Sequence, residues 1–218
     1  MERSEQFIAL GVIAGIVIVG FALFFWLAPS STAPTQTKTV AAGDLVSQNS
    51  PMTGTSTAKV TLVEWGDFEC PFCGAEAPII KQLIATYGSN PNFNFVFRNF
   101  PLPQHKNAPA AAEAALAAGA QGKYWQMYEQ LYANQKDWVD LANPRTAFDG
   151  YAKALGLDLV KFDRELDAHT YAPIVQADLA QATQLHLNHT PTLFLNGVEQ
   201  TDVSLTALTQ KINTALQQ

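Results

Sequence analysis

Hydrophobic and polar positions change rhythm several times along this chain. Residues 7–28 are apolar or glycine throughout, with no charge on any face. A run of about 22 such residues, rising about 1.5 Å each, crosses the hydrocarbon core of a bilayer as a helix, so a transmembrane helix is expected there. A core helix would carry its apolar residues on one stripe instead. Residues 29–57 follow neither the helical nor the strand period. They are rich in Ser, Thr, Pro, Ala and Gln, which predicts a flexible, solvated tether.

Periodic structure begins near Ala58. Residues 60–65, Val-Thr-Leu-Val-Glu-Trp, form a short β-rich run suited to a central strand, broken by Gly66 and Asp67. Residues 75–87 read as a helix with Ile79, Ile80, Leu83 and Ile84 on one face, and Gly88-Ser89-Asn90-Pro91 is a turn. In residues 92–97 polar and aromatic positions alternate, which puts Phe93, Phe95 and Phe97 on one face of a second strand.

The pattern then turns helical from residue 101 to about 186. Asn107 stands as N-cap and Gly119 as stop for an Ala-rich helix. Residues 124–132 form an aromatic helix. Asn143-Pro144 opens another, with Asn at the N-cap and Pro at the first helical position, closing at Gly156. Asp158 starts a short one, and residues 171–186 are the last of the group. A strand at residues 192–195 leads to Asn196-Gly197, which fits a hairpin turn. Ser204 caps a final helix with Leu205, Leu208, Ile212 and Leu216 on one stripe. The expected divisions are 1–6 cytoplasmic, 7–28 transmembrane, 29–57 tether, 58–100 first α/β part, 101–186 helical insertion and 187–218 second α/β part.

Charge adds orientation and exclusions. Arg3 precedes the apolar run and no Lys or Arg follows it before Lys38. The positive-inside rule therefore puts the short end in the cytoplasm and the folded domain outside. A cleaved signal peptide has a shorter apolar core behind a basic leader. Here residues 1–6 are not basic overall, and the small residues Ala28 and Ala33 are each followed by Pro, so an uncleaved single-pass anchor is favoured. Gly11 and Gly15 form a G-x-x-x-G that permits two anchors to touch in a weak homodimer. The net charge of −6, without any Lys/Arg cluster, excludes nucleic acid as the expected partner.

The chemistry centres on the only two cysteines, Cys70 and Cys73. With no third thiol, a four-cysteine zinc site within one chain is excluded, and Gly74 after the motif excludes C-x-x-C-H haem attachment. The four histidines, His105, His169, His186 and His189, show no ligand-pair spacing. Neither a metal nor another cofactor is expected. A C-x-x-C at a helix start brings two sulfurs within disulfide reach. The first lies where unsatisfied amides and the helix dipole favour a thiolate, the attacking species. Cys70 is therefore the expected nucleophile and Cys73 the resolving thiol. Pro71 suits the first helical position, because the amide it lacks would have no partner there. A static disulfide or half of a metal site are the alternatives. The strand before and the helix after favour redox chemistry.

Residues 65–74, Trp-Gly-Asp-Phe-Glu-Cys-Pro-Phe-Cys-Gly, resemble the active-site segment of the DsbA-like thiol–disulfide oxidoreductases of the thioredoxin superfamily. Pro78 matches the proline within the active-site helix. Arg98-Asn99-Phe100-Pro101-Leu102 resembles the start of the family's helical insertion, Thr190-Pro191-Thr192-Leu193-Phe194 its cis-proline loop, and Asn196-Gly197 the hairpin beyond. The resemblance covers residues 58–218. It implies an α/β thioredoxin fold with an inserted helical domain, here preceded by a transmembrane helix. It also implies a cis Thr190–Pro191 bond, with Thr190 pairing an extended substrate backbone as an added strand. Pro71 and Phe72 are expected beside the substrate. Glu64 is implied to lie buried beneath Cys73 as its acid–base partner. Glu69 reads as a solvated loop residue, and His189 as either a neighbour of the site or a surface histidine. Phe72 stands where strongly oxidising members carry His, which removes a charge but leaves the dithiol chemistry.

The function these features imply is an oxidase in the cell membrane with its catalytic domain outside. It would donate the Cys70–Cys73 disulfide to reduced, unfolded secreted proteins and be reoxidised by a membrane redox partner. A reductase or isomerase kept reduced by a membrane donor shares the same features. A thioredoxin-like chaperone or binding module would not need the intact C-x-x-C.

Overall fold

A computed structural model describes residues 37–218, so the transmembrane helix expected over 7–28, the G-x-x-x-G and the first part of the tether lie outside the described residues. Among the described residues no helix is long and apolar enough to cross a membrane. Strand β1 (Val60–Gly66) pairs in parallel with β2 (Phe93–Asn99) and antiparallel with β3 (Thr192–Leu195). The last of these pairs with β4 (Val198–Gln200), and the sheet order is β2-β1-β3-β4. Helix α1 (Pro71–Tyr87) connects β1 to β2, as a parallel pair requires.

Both faces of the sheet are covered. On one, Val60, Leu62, Phe93, Phe95, Leu193 and Leu195 pack with Ile80, Leu83 and Tyr87 of α1. The C-terminal helix α8 (Leu205–Gln217) adds Leu208 and Ile212, and the Ser204 hydroxyl accepts the Ala207 amide as its cap. On the other, Val63, Trp65, Val96 and Phe194 meet Leu45, Phe100 and Ala182.

Between β2 and β3 run α2 (Ala108–Gly119), α3 (Tyr124–Ala133), α4 (Gln135–Trp138), α5 (Arg145–Ala154), α6 (Leu159–Asp167) and α7 (Ala172–Gln184). The alanines of α2 are buried on nearly every face, because a helix at the centre of a bundle has no solvent side. The caps differ in detail from expectation. Asp158 accepts the Lys161 amide and caps α6 as expected. Asn107 precedes α2 but does not cap it; its amide instead donates to the carbonyls of Val139 and Leu141. Helix α5 starts at Arg145, one residue beyond Pro144, and the Asn143 side chain accepts the Arg145 amide.

The tether expectation is corrected for residues 37–57, which are packed. Val40 donates to Gly197 and Lys38 accepts from Glu199, so this segment lines the outer edge of β4. A 3-10 turn, Ala42–Leu45, buries Leu45. Further on, Thr53 donates to Phe95 and Pro51 accepts from Phe97, which covers the outer edge of β2. An exposed sheet edge offers unpaired N–H and C=O groups. Any backbone can satisfy them, which is why side-chain composition gave no sign of the strap. The approach is close: a Cβ on Gly197, whose φ is +86°, would meet the Val40 carbonyl at 2.1 Å.

Arg98 and Asp178 are buried together where β2 ends. The guanidinium contacts the Asp178 carboxylate at 2.8 Å, donates to the Leu45 carbonyl at 2.7 Å and lies 4.4 Å from the centre of the Trp65 ring. The other Asp178 oxygen accepts both nitrogens of Asn99 at 2.9 Å. This cluster ties the strand that leads into the insertion, the helix that ends it and the strap. Asp178→Ala leaves a buried guanidinium without its counter-charge and is expected to cost about 3–5 kcal/mol in urea unfolding. Arg98→Met combined with Asp178→Leu should recover much of that loss; a double variant no more stable than Asp178→Ala would show that the charges themselves are not what matters.

Candidate active site

Strand β1 ends at Gly66, and after a four-residue loop, 67–70, the chain starts α1 at Pro71. Cys70 is the N-cap residue in extended backbone (φ −69°, ψ 123°), and Pro71 opens the helix. The intervening loop is held by Asp67. One carboxylate oxygen accepts the Glu69 amide at 2.8 Å; the other accepts the Leu102 amide at 2.8 Å and lies 2.7 Å from His105 Nδ1. From the insertion, the Gln135 side chain donates to the Phe68 carbonyl at 2.8 Å and the Cys70 carbonyl at 2.9 Å. Gly74 leaves room for it, since a Cβ there would lie 2.7 Å from Gln135 Oε1.

Both cysteines are free thiols and both are covered, Cys70 at 3% exposure and Cys73 at 0%. Depth therefore separates them less than the sequence suggested. Their electrostatics separate them fully. The hydrogen bond from the Cys73 thiol, with smaller contributions from Thr190 and the Phe72 and Cys73 amides, brings Cys70 down to about 5, while burial opposes the fall. Burial first, then the hydrogen bond to Cys70 and the charge of Glu64, push Cys73 far above an ordinary thiol. The Thr190–Pro191 bond is cis, and the Thr190 carbonyl lies 3.4 Å from Cys70 Sγ.

Glu64 is fully buried on β1. Its Oε2 accepts from the Tyr128 hydroxyl at 3.2 Å, and its Oε1 has no partner. Burial, then the neighbouring Glu76, raises it well above the usual carboxylate range, and the Tyr128 hydrogen bond opposes this. The surroundings are aromatic: Phe68 packs on Phe97, Tyr128 and Tyr132 with ring centres 5.0–5.8 Å apart. Gly66 makes space for the carboxylate, because a Cβ there would meet Glu64 Oε1 at 2.8 Å.

Beside the sulfurs lies a groove of about 540 Å³, lined among others by Phe72, Glu76, Ile79, His189, Pro191 and Val203. Phe72 is 73% exposed at its rim, an unusual placement for a phenylalanine. His189 faces this groove, but its Nδ1 contacts the Pro191 carbonyl at 3.1 Å, and no contact joins it to a sulfur. Glu69 is half-buried rather than free in solvent. Its carboxylate accepts the Asn107 amide at 2.6 Å, just ahead of α2. Among the described residues no three His, Cys, Asp or Glu side chains converge as metal ligands.

The structure thus gathers Glu64, Cys70, Pro71, Phe72, Cys73, Thr190 and Pro191 at one end of the sheet. Sequence reasoning missed Glu76, Asp67, Tyr128 and Gln135. Glu76 had a readable signal, since a residue three beyond Cys73 shares its helix face. Gln135 had none, because its partners lie more than sixty residues away in sequence.

The profile of a family described as Thioredoxin matches residues 46–214. Among solved structures, BdbD from Bacillus subtilis superposes with a TM-score of 0.70 at 21% identity, covering 83% of this chain and 97% of that one. The α-DsbA1 protein of Wolbachia pipientis gives 0.70 at 18% identity, covering 81% and 96%. Among curated proteins, a Na(+)/H(+) antiporter, NhaA 1, from Mycolicibacterium gilvum is 36% identical over 207 residues. That match takes in 90% of this chain but only 31% of the antiporter, so the chain spans about a third of the length of that relative.

Alkylation of the reduced protein should report the asymmetry of the thiols. Because Cys70 lies near 5 rather than 9, its thiolate fills from about pH 5 upward. Its iodoacetamide rate should rise through pH 5 and be level by neutrality, with Cys73 unlabelled in peptide mass spectra. A rate still climbing between pH 8 and 9 would contradict the described environment.

Proposed function

This chain belongs to the thioredoxin family and is a thiol–disulfide oxidoreductase; on that premise we propose that it is a DsbA-type disulfide oxidase, anchored by residues 7–28, that works outside the cytoplasm on reduced secreted proteins. The transport activity named for the antiporter is not carried over, given the small part of that protein matched. What supports the oxidase direction is the placement of Cys70 at the N-cap of α1, where its thiol is brought down to about 5.

The reaction follows from that asymmetry. A substrate thiolate attacks Cys70 Sγ, the Cys70–Cys73 bond breaks, and its electron pair goes to the Cys73 sulfur. A Cys73 thiolate is strongly disfavoured where it lies, so it takes a proton, for which buried Glu64 is the donor. A second substrate thiolate then attacks the substrate sulfur of the mixed disulfide, and Cys70 leaves as a thiolate. The products are a substrate disulfide and the Cys70–Cys73 dithiol, which a membrane redox partner reoxidises. A leaving thiol with a pKa of about 5 rather than 9 favours the reduced enzyme by roughly a hundredfold at pH 7, or about 60 mV. Substrate backbone extends along Thr190 as an added strand, and Pro71 and exposed Phe72 supply apolar contact on the groove rim.

In cells, thiol trapping is expected to find Cys70–Cys73 mainly oxidised; a mainly reduced pair would make the protein a reductase or isomerase. Cys73→Ala should accumulate mixed disulfides through Cys70, and trapping by Cys70→Ala instead would reverse the two roles.

Phe72→His should make the protein more oxidising. A donor or positive charge beside Cys70 stabilises the dithiol form and not the disulfide, so the reduction potential rises by roughly 30 mV for each pKa unit that Cys70 falls. Equilibrium with glutathione buffers measures it. A lower potential in the variant would refute the role given to this position.

A further inference from the structure

Glu76 takes no part in the chemistry described so far, yet it is placed to do so. It lies on α1 one turn beyond Cys73, is 4% exposed, and neither of its carboxylate oxygens has a hydrogen-bond partner. A buried carboxylate without donors is costly, so such a group tends to hold a proton. Glu64, whose Oε1 is also unpaired, feels its charge directly. The two carboxyls therefore titrate as a coupled pair that does not readily carry two negative charges.

Their surroundings differ. Glu64 is sealed among Gly66, Phe97 and Tyr128 and has no route of its own to solvent. Glu76 lies on the wall of the open groove that Phe72, Thr190 and Pro191 also line. The other titratable groups facing the pair are Cys70 at the N-cap of α1 and Cys73 within it, Tyr124, Tyr128 and Tyr132 on α3, and His189 and Glu199 across the groove. Burial brings Glu76 up to about 7, within reach of both protonation states at neutral pH, while the three tyrosines are all pushed well above their ordinary value and stay protonated.

We propose that Glu76 is the outer member of a two-carboxyl relay that moves the Cys73 proton between the buried site and the groove by way of Glu64. The proposal rests on the reading of Glu64 as the acid–base partner of Cys73. When substrate opens the disulfide, the Cys73 sulfur takes the Glu64 proton and Glu64 is reprotonated from Glu76. Each hop passes through a bridging water, because Glu64 Oε1 and both Glu76 oxygens have no side-chain partner of their own, and water in the groove restores Glu76. One proton enters per disulfide opened. When Cys73 attacks a mixed disulfide, the same proton leaves by the reverse path.

The test isolates the step in which Cys73 must lose its proton. The Cys70–glutathione mixed disulfide is prepared in the full-length protein, and glutathione release is timed from pH 5 to 9. Wild type should show an inflection near neutrality. Glu76→Gln should slow release about tenfold or more and abolish that inflection, Glu76→Asp should restore most of the rate, and Glu64→Gln with Glu76→Gln should be no slower than Glu64→Gln alone. If Glu64→Gln is slow while Glu76→Gln keeps the wild-type rate and inflection, the relay is wrong and the reading of Glu64 stands. If Glu64→Gln is itself unimpaired, that reading fails and the relay with it. Losses that multiply in the double variant would make the two residues independent and also overturn the relay.

Discussion

The buried ion pair between Arg98 and Asp178 is the contact on which the remaining architecture depends. Because β3 runs antiparallel to β1 and β2, the helical block inserted between β2 and β3 leaves and returns at the same end of the sheet. Arg98 and Asn99 stand where the chain leaves, and Asp178 stands on the helix by which it returns. A guanidinium at 1% exposure cannot remain without a counter-charge. Satisfying it pins both ends of the insertion and also draws in the strap through the Leu45 carbonyl. With its ends fixed, the insertion becomes a rigid roof, and two of its residues reach the dithiol: Gln135 grips the loop carbonyls, and Tyr128 meets Glu64.

That roof explains why two thiols separated by two residues differ so widely. Cys70 sits at the open end of a helix, where amide groups point outward and a negative charge is welcome. Cys73 lies one turn further in, fully buried and within the field of the Glu64 carboxyl, which has no salt-bridge partner among the described residues. The helix supplies the first half of the contrast, and the insertion and sheet supply the second. A low-pKa thiol next to a proton-retaining one makes one sulfur the point of exchange with substrate. The other must trade a proton each time the disulfide opens or closes, so the buried carboxyls belong to the same design as the sulfurs.

Much of this was legible in the amino-acid order alone. The strand before Cys70, the helix after it, Pro71 at the helix start, the caps at Asp158 and Ser204 and the hairpin at Asn196-Gly197 all depend on residues within a few positions of one another. Backbone sterics and capping chemistry act over that distance, so local order determines them. The pairing of the 65–74 segment with Thr190-Pro191 came from resemblance, because nothing local links residues 120 positions apart.

What only the tertiary structure decided has one physical cause: a buried polar group has to be partnered, and its partner is chosen by the packed chain. Arg98 finds Asp178 eighty residues on, and Gln135 finds the carbonyls of Phe68 and Cys70. Glu69, which looked like a solvated loop residue, is held by the Asn107 amide. The strap escaped for a complementary reason, since sheet edges are satisfied by backbone groups that every residue carries, and a Ser- and Thr-rich stretch pairs as well as any. Glu76 was visible as a neighbour of Cys73 along the helix. Its burial beside Glu64, without any donor, depends on the sheet beneath and the groove beside it, and these exist only after folding.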